Sequence, residues 1–568
     1  MDCATSWTLR TRMMEPELKA DAANQDGSNK SMIQGLMMHE QLTISQLLDH
    51  AAENHGERQI ACFAGAQTVR YDYATLRDRV SRLVGVLRRL GVSQGDRVAS
   101  LAWNSHRHLE LYFAVPALGA VLNTINVRLP AAQVKFILEH SSSKLLFHDA
   151  TVRELALDAI GQLGSSQIQR IVMGEIAGTT DKAFDYEALL ASESGDVWAD
   201  VDERAAAMLC YTSGTTGDPK GVLFSHRSTV LHAMNGCLVD AFGISARDVV
   251  MPVVPMFHAN CWGLPFMSAM TGAKQVMVGQ DMAAKRLVDI AQTEGVTFSA
   301  GVPTVWLAVR DELVASGREL KALNRVIVAG SAMPPSLMAD LEKRGTSALQ
   351  AFGMTEVGPL SAVARLKPVH DELGDDERLS AKLSQGRVLP GTRWRIVDED
   401  GRPVPHDGTT PGELHYRGAF VASGYFQNPD ATRAAITADG WLRSGDVCTI
   451  DKLGYVRIVD RAKDLVKSGG EWISSIDLEN TIMGHPGVAE AAVIAAHHPK
   501  WIERPLAVVV RRPGTDIDEE SLKAWLSARC PKWWLPDRVV FREALPRTGT
   551  GKFSKRELRK IYAGIYSS

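Results

Sequence analysis

The stretch Tyr211-Thr212-Ser213-Gly214-Thr215-Thr216-Gly217-Asp218-Pro219-Lys220-Gly221 packs hydroxyls, glycines and one lysine into eleven residues directly after the apolar run 205–209. Such a loop handles phosphate. Its glycines let the backbone come close to an anion and turn where a side chain would clash, its hydroxyls donate to phosphate oxygens, and Lys220 supplies a cation. The spacing is not that of the Walker loop, because the glycine after Gly214 comes three residues on and Lys220 is followed by Gly221 rather than Ser or Thr. A solvated Ser/Thr/Gly linker is the plain alternative. It is disfavoured because the stretch closes on Asp218-Pro219-Lys220-Gly221 and runs straight into an apolar strand at 222–224.

A second cluster, Gln350-Ala351-Phe352-Gly353-Met354-Thr355-Glu356, follows Gly330-Ser331-Ala332-Met333-Pro334. An aromatic ring with its neighbouring backbone can flank a purine, and a Thr-Glu pair offers a phosphate donor and a hard carboxylate for magnesium. Further on come Trp441-Leu442-Arg443-Ser444-Gly445-Asp446, then Arg461-Ala462-Lys463-Asp464, then Lys467-Ser468-Gly469-Gly470-Glu471-Trp472, and last Pro546-Arg547-Thr548-Gly549-Thr550-Gly551-Lys552.

These motifs, in this order over about residues 32 to 560, resemble the adenylate-forming superfamily, which includes the acyl-CoA synthetases, firefly-type luciferases and peptide-synthetase adenylation domains. The resemblance implies ATP, Mg2+ and CoA. Thr212, Ser213, Gly214, Thr215, Thr216, Gly217 and Lys220 would cradle the ATP phosphates, and Thr212 and Glu356 would hold the metal. Gly330, Gln350, Ala351, Phe352, Gly353 and Thr355 would line the nucleotide. Asp446 would accept from the ribose hydroxyls with Arg461 in support, Ser444 standing where many members have threonine. Lys463 matches the hinge position, while Lys467 and Trp472 match nucleotide contacts of long-chain members. Ser468, Gly469 and Gly470 match the loop that admits the pantetheine arm. Lys552 matches the lysine that enters the site for adenylation, so Lys552, Thr212 and Glu356 form the expected catalytic set.

The chemistry follows. A carboxylate attacks the α-phosphate of ATP to give an acyl adenylate and pyrophosphate, and a thiol then displaces AMP. The first step needs positioned reactants and stabilised phosphate charge, not a side-chain nucleophile. Rotation of a small domain would present Lys552 for one step and the Gly469-Gly470 loop for the other.

The block Pro255-Met256-Phe257-His258-Ala259-Asn260-Cys261-Trp262-Gly263 matches the acyl side of fatty acyl-CoA synthetases, with His258, Trp262, Gly330 and Met354 as expected substrate contacts. Amino-acid adenylation domains carry an aspartate after the corresponding aromatic residue, whereas this chain has His258, which disfavours an amino-acid substrate. Met256, Met267, Met270 and Met354 suit a soft apolar channel. Together with Trp103-Asn104, Arg107-His108-Leu109-Glu110 and Thr124-Ile125-Asn126, this block is similar to the medium-chain fatty acyl-CoA and methylmercaptopropionate-CoA ligase branch. The expected activity is that of an acid:CoA ligase for a medium- or long-chain fatty acid. An aryl or sulfur-containing acid, a carrier-protein acceptor, and a non-catalytic nucleotide- or lipid-binding scaffold stay open.

The elements that must position these groups are legible as an α/β chain. A length of 568 residues with 45% hydrophobic and 23% charged residues requires at least two domains. A net charge of −3 and a pI near 6.6 give no footprint for nucleic acid. Seven scattered cysteines without a CxxC pair read as reduced and cytoplasmic. The apolar run 111–122 is too short to span a bilayer. Helix-layered sheets are expected on both sides of the phosphate loop, with a helix around 76–87, strands at 98–101, 251–257, 275–278 and 325–329, and helices at 283–293 and 334–344. His106 and His108 are expected at a helix entry rather than as metal ligands. From 386 the texture turns to short strands, which suggests a distorted β-barrel. A small α/β lid follows, with its own strand and helix pattern over 489–496, 506–510 and 521–527.

The expected organisation is a disordered or extended lead-in at 1–31, a large domain at 32–461 and a small mobile domain at 462–568, joined by a short charged hinge. Sixteen residues follow Lys552, which leaves no room for a carrier-protein domain. A homodimer through the large domain is compatible with the resemblance.

Overall fold

Alternating short apolar strands and amphipathic helices give sheets covered on both faces, so their central strands are buried throughout. The computed structural model describes residues 35–65, 67–163, 168–174, 183–212, 218–468, 471–547 and 553–566. Residues 41–568 form one compact unit, and 35–40 belong to a separate N-terminal unit. Among the described residues the strands fall into four sheets.

In the first sheet, Phe184–Asp185, Gln169–Met173, Leu145–Asp149, Arg97–Leu101, Val121–Thr124 and Ala206–Thr212 run parallel, and Lys220–Ser225 closes one edge antiparallel. Thr212 stands opposite Lys220 and Tyr211 opposite Gly221, so the two ends of the expected phosphate motif pair at the carboxyl end of a parallel strand. That is where α/β sheets bind ligands.

The second sheet repeats the placement. Val249–Pro252, Phe298–Gly301, Arg325–Val328 and Ser347–Gly353 are successive parallel neighbours. Their carboxyl ends lead respectively into the acyl-side block, Val302, Gly330 and Thr355-Glu356. The helices expected at 283–293 and 334–344 are Ala284–Glu294 and Pro335–Lys343.

The strand expected at 251–257 ends early, at Pro252. Asn104 explains why. Its Nδ2 donates to the carbonyls of Pro252 (3.1 Å) and Val254 (2.8 Å), and its Oδ1 accepts from the Met256 N–H (2.7 Å). A buried side chain therefore satisfies backbone groups that a ladder would otherwise pair. Beside it the Arg128 guanidinium lies 5.7 Å from the Trp103 ring and 5.9 Å from Phe257, which fastens three of the sequence blocks together.

The β-rich part expected from 386 is an antiparallel meander of Thr392–Val397, Gly412–Gly418, Leu442–Ile450 and Val456–Arg461, tied to the second sheet by a bridge between Gly386 and Val456. The last sheet comprises Glu471–Ile473, Val466–Ser468, Ile502–Arg511, Val488–His498 and Arg538–Arg542. Helices Ser475–Met483 and Glu519–Ser527 bury Leu478, Ile482, Leu522 and Leu526 against it.

Helix His106–Ala117 is capped by Ser105, whose side chain accepts from the His108 N–H, and His108 is buried between Ser100 Oγ (2.9 Å) and the Trp103 carbonyl (3.0 Å). Burial lowers the pKa of His108, His226 and His232 to about 4 each. The unfolded chain protonates these histidines near pH 6.5 while the folded chain keeps them neutral. These three histidines thus leave stability unchanged above about 6.5 and lower it as pH drops toward 4, by up to about 1.4 kcal/mol per unit each. His106 runs the other way. Burial lowers its pKa, but Cys62 and Glu187 beside it override burial and raise it to about 9, so its contribution is lost between pH 6.5 and 9. Burial raises the pKa of the Asp149 carboxyl to about 7, which opposes about one of these histidines over the same range. The thermal midpoint is therefore expected to fall between pH 6.5 and 5, and direct NMR titration showing His108, His226 and His232 charged at pH 5.5 would refute neutral burial.

Candidate active site

The phosphate hairpin and the Thr-Glu turn meet on a tyrosine that the sequence reading missed. Lys220 Nζ lies 5.0 Å from the centre of the Tyr425 ring, and the Tyr425 hydroxyl donates to Glu356 Oε1 at 2.8 Å. The segment around Tyr425 is fixed at both ends, since the Phe426 N–H donates to the Gly221 carbonyl (2.8 Å) and the Ala422 N–H to the Glu356 carbonyl (2.7 Å). Burial, then the Glu356 carboxylate, raises the pKa of the Tyr425 hydroxyl, which keeps it a donor. Thr212 Oγ1 approaches the Lys220 carbonyl at 3.4 Å across the hairpin. Gly424 precedes Tyr425 in a tight passage, where a β-carbon would stand 2.7 Å from the Thr432 side chain.

Gly330 has φ +87°, a left-handed conformation that suits glycine. Gln350 is buried and clamps the loop after it, with Oε1 accepting from the Met333 N–H (2.7 Å) and Nε2 donating to the Ser331 carbonyl (3.3 Å). Ala351 is buried in its strand, and Gly353 is exposed opposite Leu360. Phe352 and Met354 pack on the core of the meander with Val357, Leu414 and Tyr416. Met354 thereby stands apart from Met256, Met267, Met270 and Trp262, which share the large core.

Asp446 and Arg461 are register partners, with Arg461 Nε 2.6 Å from Asp446 Oδ1 and the aspartate buried. The Asp446 N–H donates to Ser444 Oγ (3.0 Å). Burial foremost lowers the pKa of Lys463, whose carbonyl accepts from Arg559 (3.1 Å). Lys467 and Trp472 face each other on short strands with Nζ 4.4 Å from the indole, and Lys467 Nζ also reaches Glu399 at 3.3 Å. Ser468 Oγ accepts from Arg504 (3.0 Å). Ser213, Gly214, Thr215, Thr216, Gly217, Gly469, Gly470 and Lys552 lie outside the described residues.

On the acyl side His258 leads into a turn in which Ala259, Asn260, Cys261, Trp262 and Gly263 all have positive φ, from 43° to 78°. A left-handed backbone costs L-residues roughly 1–2 kcal/mol each, so tertiary contacts must hold it. Cys261 Sγ donates to the Val254 carbonyl (3.2 Å), and Asn260 Oδ1 accepts from Cys210 Sγ (3.0 Å). Cys210 belongs to the strand that feeds the phosphate hairpin, which links the acyl side to the phosphate side.

A buried carboxylate linked through Tyr425 to Lys220 suits magnesium, which keeps several waters and binds through one or two carboxylates plus substrate phosphates. Among the described residues no group of three or more His, Cys, Asp or Glu side chains forms a protein cage for a metal, and magnesium held with substrate needs none. No helix of the described residues is long and apolar enough to cross a membrane.

The family model of the AMP-binding enzymes matches residues 48–426, and that of the AMP-binding enzyme C-terminal domain matches 477–552. The chain belongs to the AMP-binding enzyme family. This AMP-binding enzyme is 47% identical over 542 residues to a long-chain-fatty-acid–CoA ligase of Thermus thermophilus, covering 95% of this chain and 99% of that protein. It is 44% identical over 539 residues to a 3-methylmercaptopropionyl-CoA ligase of Ruegeria pomeroyi, covering 94% and 99%. Among solved structures, an anthranilate CoA ligase in complex with anthranoyl-AMP has a TM-score of 0.81 at 22% identity over 93% of this chain and 98% of that one, which establishes the shared fold.

Proposed function

We propose that this AMP-binding enzyme is an ATP-dependent acid:CoA ligase for medium- or long-chain fatty acids, working through an acyl adenylate. The observation that carries the reading is the Cys210–Asn260 contact. It ties the buried turn that would border the acid to the strand that delivers the ATP-binding hairpin, so that carboxylate and α-phosphate can be held at reacting distance. Lys220, the hairpin hydroxyls and Lys552 would hold phosphate oxygens, and Asp446 with Arg461 would orient the ribose. Magnesium, when bound at Glu356 and Thr212, would neutralise phosphate charge. Met256, Trp262, Phe266 and Met267 share a buried apolar cluster, which supports an aliphatic acid.

The proposal includes a large domain at 32–461 and a small mobile domain at 462–568. The small-domain family match at 477–552 supports this division. It also includes a cytoplasmic setting, supported by the free state of the six described cysteines, and a homodimer, carried over from the resemblance alone. A sulfur-containing acid is the second reading, favoured by the 44% identity to the 3-methylmercaptopropionyl-CoA ligase.

The test is CoA-dependent AMP release from ATP and magnesium across acids from acetate to C18, with benzoate, cinnamate and methylmercaptopropionate. A maximum on medium or long chains is expected. A maximum on methylmercaptopropionate selects the second reading, and silence across the panel refutes both.

A further inference from the structure

His232 lies in the middle of helix His226–Cys237, outside every motif that carries the proposed chemistry, yet its imidazole is wedged between the two turns that flank the reaction. On one side is Gly263, the end of the left-handed acyl-side turn, where a β-carbon would stand 2.8 Å from His232 Nδ1 and 2.9 Å from Cε1. On the other is Gly358, two residues after Glu356, where a β-carbon would stand 2.8 Å from His232 Cδ2. Both glycines have positive φ, +78° and +108°. The ring thus fills room that the two turns leave only because neither carries a side chain. It is held from two further directions. Nε2 accepts from the Leu360 N–H at 3.0 Å, and the Phe420 ring packs edge-on at 5.7 Å. Because Nε2 accepts, the proton of the neutral ring sits on Nδ1, facing Gly263.

We propose that His232 is a positioning residue that sets the separation between the acyl-side turn and the Glu356 turn, and thereby the approach of the acid carboxylate to the α-phosphate. This rests on the ligase reading above. A planar ring clamped between two backbones transmits position in a way that a flexible side chain would not. An error of about 1 Å at a reacting pair can cost about 100-fold in rate.

Acid-dependent ATP–pyrophosphate exchange separates this role from that of an ordinary buried histidine. His232→Ala removes wedge and acceptor and is expected to lower exchange kcat about 100-fold. Thioester formation from supplied acyl adenylate, which no longer requires the two turns to bring acid and phosphate together, should change by less than about threefold. His232→Gln keeps an acceptor for the Leu360 N–H at similar volume but lacks the rigid ring. It should fold with a near-normal thermal midpoint and still lose about tenfold in exchange kcat. Should the alanine variant fail to fold, the glutamine variant decides. His232→Gln with wild-type kcat and wild-type KM for acid and ATP overturns the proposal, as does an equal loss in both half-reactions. A wild-type protein without acid-dependent exchange sinks the ligase reading and the wedge together, whereas an active wild type matched by its variants sinks the wedge alone.

Discussion

Lys552→Ala is expected to abolish acyl-adenylate formation while leaving thioester formation from supplied acyl adenylate largely intact. Adenylation gathers charge on the α-phosphate oxygens, and a cation aimed at them is worth about 100- to 1,000-fold in rate, or roughly 3–4 kcal/mol. Thioester formation expels AMP, whose phosphate charge is already formed, so the same lysine has little left to stabilise. The residues flanking the lysine loop are firmly placed: Arg547 bridges to Phe553 across it and stacks on that ring at 4.9 Å, and the Ser554 N–H donates to the Pro546 carbonyl at 2.7 Å. A truncated side chain between such fixed ends should leave the thermal midpoint unchanged. ATP–pyrophosphate exchange and CoA-dependent AMP release from synthetic acyl adenylate measure the two steps separately. Comparable losses in both would remove the division of labour between the Lys552 loop and the Gly469-Gly470 loop.

The strands that flank the expected phosphate motif were legible because apolar runs stand on both sides of its glycines and hydroxyls, and register places Thr212 opposite Lys220. Asp446 and Arg461 were legible by resemblance, and their pairing follows from adjacent antiparallel strands. Tyr425 was not, because its value comes from meeting Glu356 and Lys220, far away in the chain, and no local pattern marks such a meeting. The left-handed turn was hidden for the opposite reason. Ala259, Asn260, Cys261 and Trp262 prefer right-handed backbone, and only contacts such as Cys210 to Asn260 override that preference. His232 looks like any polar residue of a helix until the two glycines around it are seen. Met354 could have been placed from sequence. It follows Phe352 by two residues at the end of an extended segment, so the two share a face, and both pack on the meander rather than with Met256 and Met267.

Glu356→Gln should lower the rate of adenylation by about 100- to 1,000-fold and raise the magnesium concentration needed for half-maximal exchange. The substitution removes a charge and little else. Glutamine has the same length, its Oε1 can still accept from the Tyr425 hydroxyl, and the backbone carbonyl still receives the Ala422 N–H, so the turn should keep its shape. A buried carboxylate that meets a hydroxyl on one oxygen is suited to bind a hard cation, and a neutral amide is not. Tyr425→Phe serves as the comparison. It removes the donor to Glu356 but leaves the charge and the ring beside Lys220, so it should cost about 10- to 150-fold, the scale of one hydrogen bond to a charged group, and should leave the magnesium dependence unchanged. The ordering decides the assignment. If Glu356→Gln costs no more than Tyr425→Phe and leaves the magnesium dependence unchanged, the carboxylate only anchors the Tyr425 segment and the metal must be held elsewhere. If the glutamine variant is far worse and excess magnesium partly restores it, the charge at Glu356 serves the metal and Tyr425 serves to aim it.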